Sequence, residues 1–251
     1  MWECGTKVIA HFEKAGNWLF ARRSYLPIVC VGVILLALRN YKFPYASHTL
    51  DQLWEALCLA ISLSGLAVRI ATVGHAPKGT SGRNSKKQKA EVLNTTGMYS
   101  VVRHPLYLGN FLVWLGISLL PRLWWLSVIL LLAFWLYYGL IIFAEEQFLQ
   151  RRFGREFTDW AGKTPASIPK LSSWKRPALP FSLRTVLKGE HSTLFLIIVL
   201  FTLMEEAASL LTTGSPELDP MWLVLFTIAL AQYVLFRTLK KHTKLLNVPG
   251  R

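Results

Sequence analysis

Residues 97–110 read GMYSVVRHPLYLGN, and residues 144–160 read AEEQFLQRRFGREFTDW. An apolar run begins within the first stretch at Pro105, and a second apolar run ends where the second stretch begins. Two such runs fold as a hairpin, so the two stretches are expected to meet at one membrane face. The hairpin brings together five polar side chains: Arg103, His104, Tyr107, Glu145 and Glu146. A group of this kind suits a small zwitterionic ligand that carries a carboxylate, an amine and hydroxyls.

The rest of the chain is also strongly apolar. It has 251 residues, of which 53% are hydrophobic, and a mean hydropathy of +0.36. Long apolar runs indicate a polytopic membrane protein rather than soluble domains. They predict an all-α transmembrane bundle of about six spans: 24–41, 51–73, 105–120, 122–143, 193–212 and 221–237. No cleavable signal peptide is expected, because the start of the first run lacks a small-residue cleavage site.

The distribution of positive charge predicts the orientation. The chain has 28 Lys and Arg against 14 Asp and Glu. With both termini assigned to the cytoplasm, 24 of the 28 basic residues lie on that side: 4 before residue 24, 6 in 74–104, 9 in 144–192 and 5 from Arg237 onward. The positive-inside rule therefore predicts cytoplasmic termini and a cytoplasmic site. Because topology accounts for the positive charge, no nucleic-acid partner is expected.

These patterns divide the chain into five segments. The divisions are an interfacial N-terminal segment, two transmembrane helices, a loop with the motif-bearing hairpin, a proline-rich cytoplasmic or interfacial segment, and a C-terminal hairpin with a basic tail: 1–23, 24–73, 74–160, 161–192 and 193–251. The first segment is either a helix lying on anionic lipid or a solvated lead-in. The basic loop 74–96 is either a solvated connection or a lid near the site.

The start of the first motif-bearing helix has a local explanation. Pro105 disfavours α-helical backbone at His104 and suits the first turn of a helix. The free N–H groups and positive dipole end of that helix then face an anion at the membrane surface. Arg103 adds a cation suited to a carboxylate or phosphate, and His104 can exchange a proton near neutral pH. The alternative is ordinary anchoring of these side chains to lipid head groups.

Glu145 and Glu146 are unusual at the positive end of an apolar span. Carboxylates at this depth need partners, and Arg103 is the partner expected. They either bind ribose hydroxyls or an ammonium group, or form a plain salt bridge. A negative charge is unfavourable at a helix C-terminus, so the helix is better continued through Phe153.

Three other features stand apart from the motifs. Arg69, within the second span, either snorkels to the surface or points into the pocket. Glu205 and Glu206, in the fifth span, predict a polar partner or a water-filled cavity distant from the motifs. The three cysteines are scattered and have no metal-binding spacing, so no metal site is expected.

The two stretches resemble the signature of the isoprenylcysteine carboxyl methyltransferases and, more broadly, the phospholipid N-methyltransferases. The first block of the signature corresponds to Gly97, Tyr99, Arg103, His104, Pro105, Tyr107 and Gly109. The second corresponds to Glu145, Glu146, Leu149, Phe153, Gly154 and Phe157. The resemblance covers roughly residues 55–160. It departs at Phe157 and Trp160, which stand where tyrosines are common in the family.

The resemblance implies a membrane methyltransferase that takes S-adenosylmethionine as methyl donor and a lipid or prenylated acceptor from the bilayer. It assigns cofactor binding to Tyr99, His104, Tyr107, Glu145 and Glu146. It assigns catalysis to Arg103, His104 and Glu146. The second span lacks the Gly-x-Gly element of phospholipid N-methyltransferases, so O-methylation of a carboxylate or phosphate is favoured over N-methylation. The VRHPLYLGN form also resembles bacterial relatives proposed to methylate lipid phosphates.

The expected location is a bacterial inner membrane with the site facing the cytoplasm, or the endoplasmic reticulum in a eukaryote. Two other classes of function stay open. One is a sterol-reductase-like membrane enzyme that uses NADPH, because that family, in its own C-terminal half, resembles this fold. The other is a non-catalytic transporter or scaffold, which only the Glu205 and Glu206 pair favours.

Overall fold

The computed structural model describes residues 2–23, 25–37, 48–80, 88, 90–215 and 219–251. Within these ranges the chain is helical and has no β-strand, which confirms the all-α prediction. The helices are α1 (Trp2–Ala21), α2 (Leu26–Ala37), α3 (His48–His75), α4 (Met98–Val101), α5 (Pro105–Leu119), α6 (Trp124–Phe153), α7 (Arg155–Ala161), α8 (Leu183–Thr213) and α9 (Pro220–His242). A single 3₁₀ turn, Leu171–Ser173, lies between α7 and α8.

Each of the six predicted spans falls on a helix, but the helices differ in length. Four of them, α3, α6, α8 and α9, are long and apolar enough to cross a bilayer. The other two, α2 with 12 residues and α5 with 15, are shorter than the roughly 20 residues that a perpendicular crossing needs. The end of the first predicted span, together with Arg39 and Lys42, lies outside the described residues. The number of crossings and the side of each terminus stay predictions.

α8 begins at Leu183, ten residues before the predicted start of the fifth span at 193. Ser182 caps this helix by accepting a hydrogen bond from the backbone N–H of Thr185 at 3.3 Å. The first turns of α8 carry charged and polar residues, which hide the helix from a hydropathy reading: Arg184, Lys188, Glu190 and His191.

The helix ends gather at two ends of the bundle. At one end, Ser182 donates its backbone N–H to the carbonyl of Gly74 at 2.9 Å, which joins the start of α8 to the end of α3. At the other end, Arg122 in the turn between α5 and α6 lies 2.5 Å from Asp51 near the start of α3. The first end also carries both motif stretches and is called the site end below.

α1 lies along the second half of α6. Gly16 permits this contact, since a Cβ there would lie 2.2 Å from the carbonyl oxygen of Leu140. Glu13 accepts a hydrogen bond from Arg151 at 2.9 Å, and this bond lowers the pKa of the Glu13 carboxyl. The apolar face of the first segment therefore has a helical partner. Its position relative to a bilayer surface stays a prediction.

α3 and α5 form the closest helix pair near the site. Glycines let the two backbones approach, as is common for helices packed in membranes. A Cβ at Gly65 would lie 2.4 Å from the carbonyl oxygen of Gly109, and one at Gly116 would lie 2.3 Å from that of Cys58. Ser62 Oγ also donates to the carbonyl of Val113 at 3.0 Å. The pair therefore fixes the position of α5, whose first residues enter the site.

Substituting Gly116 with alanine is expected to destabilise the protein by about 1–3 kcal/mol, because backbone atoms of α3 would have to move. Gly139→Ala on α6 is the matched control, since a Cβ at Gly139 meets nothing within 4 Å. Thermal unfolding of the two variants in detergent tests this. Equal midpoints for the two alanine variants would contradict the packing described here.

Candidate active site

The first motif enters the site where α5 begins. Pro105 occupies the first turn of α5, and His104 precedes it with φ −124° and ψ 63°, outside the helical region. This agrees with the backbone restriction that a following proline imposes. The His104 side chain is buried and points toward α6. The predicted helix start at Pro105 is confirmed.

His104 lies between the two carboxylates of α6. Its Nε2 is 3.0 Å from Oε1 of Glu146, and its Nδ1 is 3.8 Å from Oε2 of Glu145. The Tyr107 hydroxyl donates to Oε2 of Glu145 at 2.9 Å. The His104 and Tyr107 rings are stacked, with centroids 5.7 Å apart. Residues about forty positions apart in the chain thus form one hydrogen-bonded group.

Arg103 adds a positive charge to this group through a contact with Glu146. Its Nε lies 3.0 Å from Oε1 of Glu146, and its Nη1 donates to the carbonyl of Ala161 at 3.1 Å. The Nε–H is buried but does not point along a hydrogen bond to any described residue, so the contact with Glu146 is an ion pair. The predicted pairing of Arg103 with these carboxylates is therefore present. The guanidinium retains hydrogen-bonding capacity for an anion.

Glu145 and Glu146 lie within a continuous helix, away from its ends. α6 runs through to Phe153, and its last turn carries Arg151 and Arg152. The unfavourable position at a helix C-terminus is thereby avoided, because the negative charges lie about two turns before the end. Glu145 is almost fully buried, whereas Glu146 keeps about a quarter of its side chain exposed.

A cavity of about 440 Å³ opens beside this group. This volume includes space that is open to solvent, so the cavity is a cleft at the end of the bundle. Five of the six residues predicted from the sequence line it: Tyr99, Arg103, His104, Tyr107 and Glu145. Glu146 does not line the cavity. It lies behind His104 and Arg103 and holds both.

The cavity also has walls that motif analysis missed. Leu93 and Asn94, from the end of the basic loop, and Leu149 and Trp160 close its other sides. Trp160 Nε1 donates to the carbonyl of Tyr99 at 3.1 Å, which fixes the indole against the first motif. The sequence feature that could have identified Trp160 is its position at the end of the second block. No local pattern identified Asn94, and the glycine, arginine and lysine residues of the loop at 82–87 lie outside the described residues.

Arg69 is near the site but does not line the cavity. Its Nε and Nη2 bind the two oxygens of Glu190 on α8 at 2.8 and 3.0 Å. Its Nη1 binds Oδ1 of Asn110 at 2.5 Å, and Asn110 donates to the Tyr138 hydroxyl at 3.3 Å. Tyr138 packs against Tyr107, with centroids 5.0 Å apart. A polar network across α3, α5, α6 and α8 thus links Arg69 to Tyr107, which is part of the site.

The carboxylates of the fifth span are at the opposite end. Glu205 lines a separate cavity of about 310 Å³ with Glu55 and Arg122. Trp222 Nε1 donates to Oε2 of Glu55 at 3.3 Å. Glu205 therefore takes no part in the group around His104.

Comparison with known proteins places this arrangement in a family. The family model described as phospholipid methyltransferase matches residues 57–156, which contain the first motif stretch and most of the second. The nickel-cobalt-cadmium resistance protein NccN of Alcaligenes xylosoxydans xylosoxydans is 38% identical over 169 residues, which are 66% of this chain and 74% of that protein. The cobalt-zinc-cadmium resistance protein CzcN of Cupriavidus metallidurans is 39% identical over 47% of this chain and 52% of its own length.

An enzyme of named activity is also similar. The protein-S-isoprenylcysteine O-methyltransferase of Schizosaccharomyces pombe is 34% identical over 85 residues, which are 34% of this chain and 36% of the enzyme. No solved structure matches the chain. The family match covers every residue that lines the cavity except Trp160, and four helices have the length and composition of membrane spans. The chain therefore belongs to the phospholipid methyltransferase family and is an integral membrane methyltransferase.

Proposed function

We propose that this protein transfers a methyl group from S-adenosylmethionine to an anionic oxygen of a lipid or prenylated acceptor. The observation that carries the proposal is a single cavity of about 440 Å³ whose lining includes Arg103, His104 and Glu145. A zwitterionic donor needs binding groups of both signs. Few cavities at the end of a membrane bundle offer both.

The residues present fit the donor. Arg103 is placed to bind the donor's carboxylate, and Glu145 its ammonium group or ribose hydroxyls. The Tyr99 and Trp160 side chains, with Leu149, form an aromatic and apolar wall of the cavity that suits the adenine ring of the donor. The donor supplies an already activated methyl group on its sulfonium. The chain's own task is then to hold both reactants in line and to exclude water.

The geometry favours an acceptor that needs no general base. Both ring nitrogens of His104 face carboxylate oxygens, at 3.0 and 3.8 Å. Nε2 is engaged by Glu146 and is therefore not free to take the proton that an amine must lose before it reacts. A carboxylate or phosphate is ionised at neutral pH and reacts without losing a proton. His104 then acts by holding the two carboxylates in place, and Arg103 also balances the acceptor's charge.

The membrane setting is part of the proposal. We propose a bacterial inner membrane, with the site end facing the cytoplasm as the charge distribution favours. An endoplasmic reticulum location applies if the source is a eukaryote. A relative named as an O-methyltransferase of isoprenylcysteine supports a prenylated or lipid acceptor.

The proposal is tested by calorimetric titration of the detergent-purified protein with S-adenosylhomocysteine. NADPH is titrated in parallel, because it separates this function from that of a membrane reductase. Saturable binding of S-adenosylhomocysteine alone is the expected result. Binding of NADPH alone, or of neither compound by protein shown to be folded, would overturn the proposal.

A further inference from the structure

The segment between α7 and α8 forms a strap across the first motif; we use this name for residues 162–182. The strap is fixed to the motif by backbone hydrogen bonds. Arg103 donates its N–H to the carbonyl of Pro165 at 2.9 Å, and Gly97 donates to that of Lys175 at 3.0 Å. The strap residue Lys170 donates in turn to Val101 at 2.9 Å. The position of the strap is therefore tied to the backbone that presents Arg103 to the cavity.

The strap exposes large apolar side chains although it lies outside the spans. Ile168 is 81% exposed and Leu171 is 78% exposed, and Trp174 and Phe181 are also exposed. Exposed apolar residues on α6 or α9 are explained by lipid around a span. Those on the strap need a different explanation, because clustered apolar surface in water marks a site of interaction.

The strap and its flanking residues, up to the second turn of α8, carry basic but no acidic side chains. Residues 160–189 contain no Asp or Glu but six Lys and Arg. Five of these side chains are exposed: Lys163, Lys170, Lys175, Arg176 and Arg184. None of the five forms an ion pair with a described residue. Apolar and aromatic side chains among unpaired cations are typical of chains that lie in an anionic lipid interface.

The place of the strap in the fold agrees with such a partner. Its last residue, Ser182, caps α8 and donates its backbone N–H to Gly74 near the end of α3. Both helices are candidate spans. The strap therefore leaves the bundle at the end where these two candidate spans terminate.

We infer that the strap binds the anionic lipid surface and thereby holds Arg103 in its catalytic position. Lipid contact restricts the motion of residues 165–175. Their backbone hydrogen bonds to Gly97, Val101 and Arg103 then restrict the motion of the first motif as well. The consequence for turnover rests on the proposed methyltransferase function. The lipid contact itself does not, and it is measured without donor or acceptor.

The experiment uses the full chain in nanodiscs of phosphatidylcholine, with or without about a third phosphatidylglycerol, an anionic content at which surface attraction is strong. Acyl-chain-brominated lipids quench tryptophans that lie in the interface. Subtracting the signal of Trp174→Phe isolates the contribution of Trp174. Hydrogen exchange of the peptide spanning 96–104 reports on the amides that donate to the strap.

Anionic discs are expected to quench Trp174 and to slow exchange of this peptide. A triple variant should lose both responses: Lys170→Gln, Lys175→Gln and Arg176→Gln. Each cation raises the affinity for the anionic lipid surface by a factor of roughly five. Combined Lys240→Gln, Lys241→Gln and Lys244→Gln is the control of equal charge, and it should retain both responses. Raised salt should weaken the wild-type response.

Three results would overturn the inference. Trp174 that stays unquenched in both kinds of disc would place the strap in water, where it would suit a protein partner instead. Loss of the response in the Lys240, Lys241 and Lys244 control would assign the effect to overall charge. Quenching without any change in exchange of 96–104 would remove the link between the lipid contact and Arg103.

Discussion

Substituting Glu190 with alanine is expected to destabilise the folded bundle by about 3 kcal/mol, because it leaves the partly buried Arg69 guanidinium without its counter-charge. The Glu190 side chain is 5% exposed and binds Arg69 through both oxygens, at 2.8 and 3.0 Å. Thr193 also donates to Glu190 at 2.9 Å and would lose its partner. Unfolding in a denaturing detergent titration measures the loss.

The control for this prediction is Glu13→Ala, which breaks a more exposed pair with Arg151. Such surface pairs contribute at most about 1 kcal/mol, so the control should unfold almost as the wild type does. A second arm replaces the whole pair, as Arg69→Met with Glu190→Leu. Removing both charges should recover most of the stability, since buried ion pairs often differ little from apolar replacements. An alanine variant as stable as the control would contradict the buried-pair argument.

The Glu190 variant also tests whether α8 supports the site. The path from Arg69 passes through Asn110 and Tyr138 to Tyr107, which binds Glu145. Weaker binding of S-adenosylhomocysteine is therefore expected in any Glu190→Ala protein that remains folded. α8 lies outside the residues that the family model matches, so this dependence would be a property of the chain beyond the shared core.

The parts of the structure that the sequence predicts well depend on local signals. Pro105 sets the start of α5 because a proline restricts the residue before it, and this effect reaches no further than His104. The short turn at Pro121 and Arg122 returns the chain as α6, so both motifs necessarily reach the same end. The group of Arg103, His104 and the two carboxylates follows from these two facts.

The parts that the sequence does not predict depend on distant partners. Arg69 and Glu190 are 121 residues apart, and no local pattern pairs them. Read alone, Arg69 suits a snorkelling side chain as well as a buried one. The apolar face of α1 presents the same difficulty, because its spacing suits either lipid or another helix. The approach of Gly16 to α6 decides the matter and is visible only in the fold.

Glu146→Ala and His104→Ala are each expected to weaken S-adenosylhomocysteine binding by about 10- to 100-fold, the equivalent of about one charge-assisted hydrogen bond. Loss of Glu146 leaves His104 Nε2 and Arg103 without the oxygen that lies 3.0 Å from each. Loss of His104 removes the side chain between the two carboxylates. Calorimetry on the folded variants measures the change in dissociation constant.

Glu156→Ala is the matched control for these variants. Glu156 is exposed on α7 at the site end and does not line the cavity beside His104, so its removal changes the charge of this end as Glu146→Ala does. Its affinity should equal that of the wild type. An equal loss of affinity in this control would mean that the net charge of the site end, not contact with the ligand, causes the effect. Unchanged affinity in both site variants would refute the assignment of the pocket.

Glu146→Gln separates two roles for this carboxylate. The resemblance assigns Glu146 to catalysis and to the donor, yet the side chain lies behind His104 and does not line the cavity. If it positions His104, the amide oxygen of glutamine can still accept a hydrogen bond from Nε2, and most of the affinity should return. We expect this recovery. A glutamine variant as weak as alanine would mean that the charge itself binds the donor, and Glu146 would then turn into the cavity when the donor is bound.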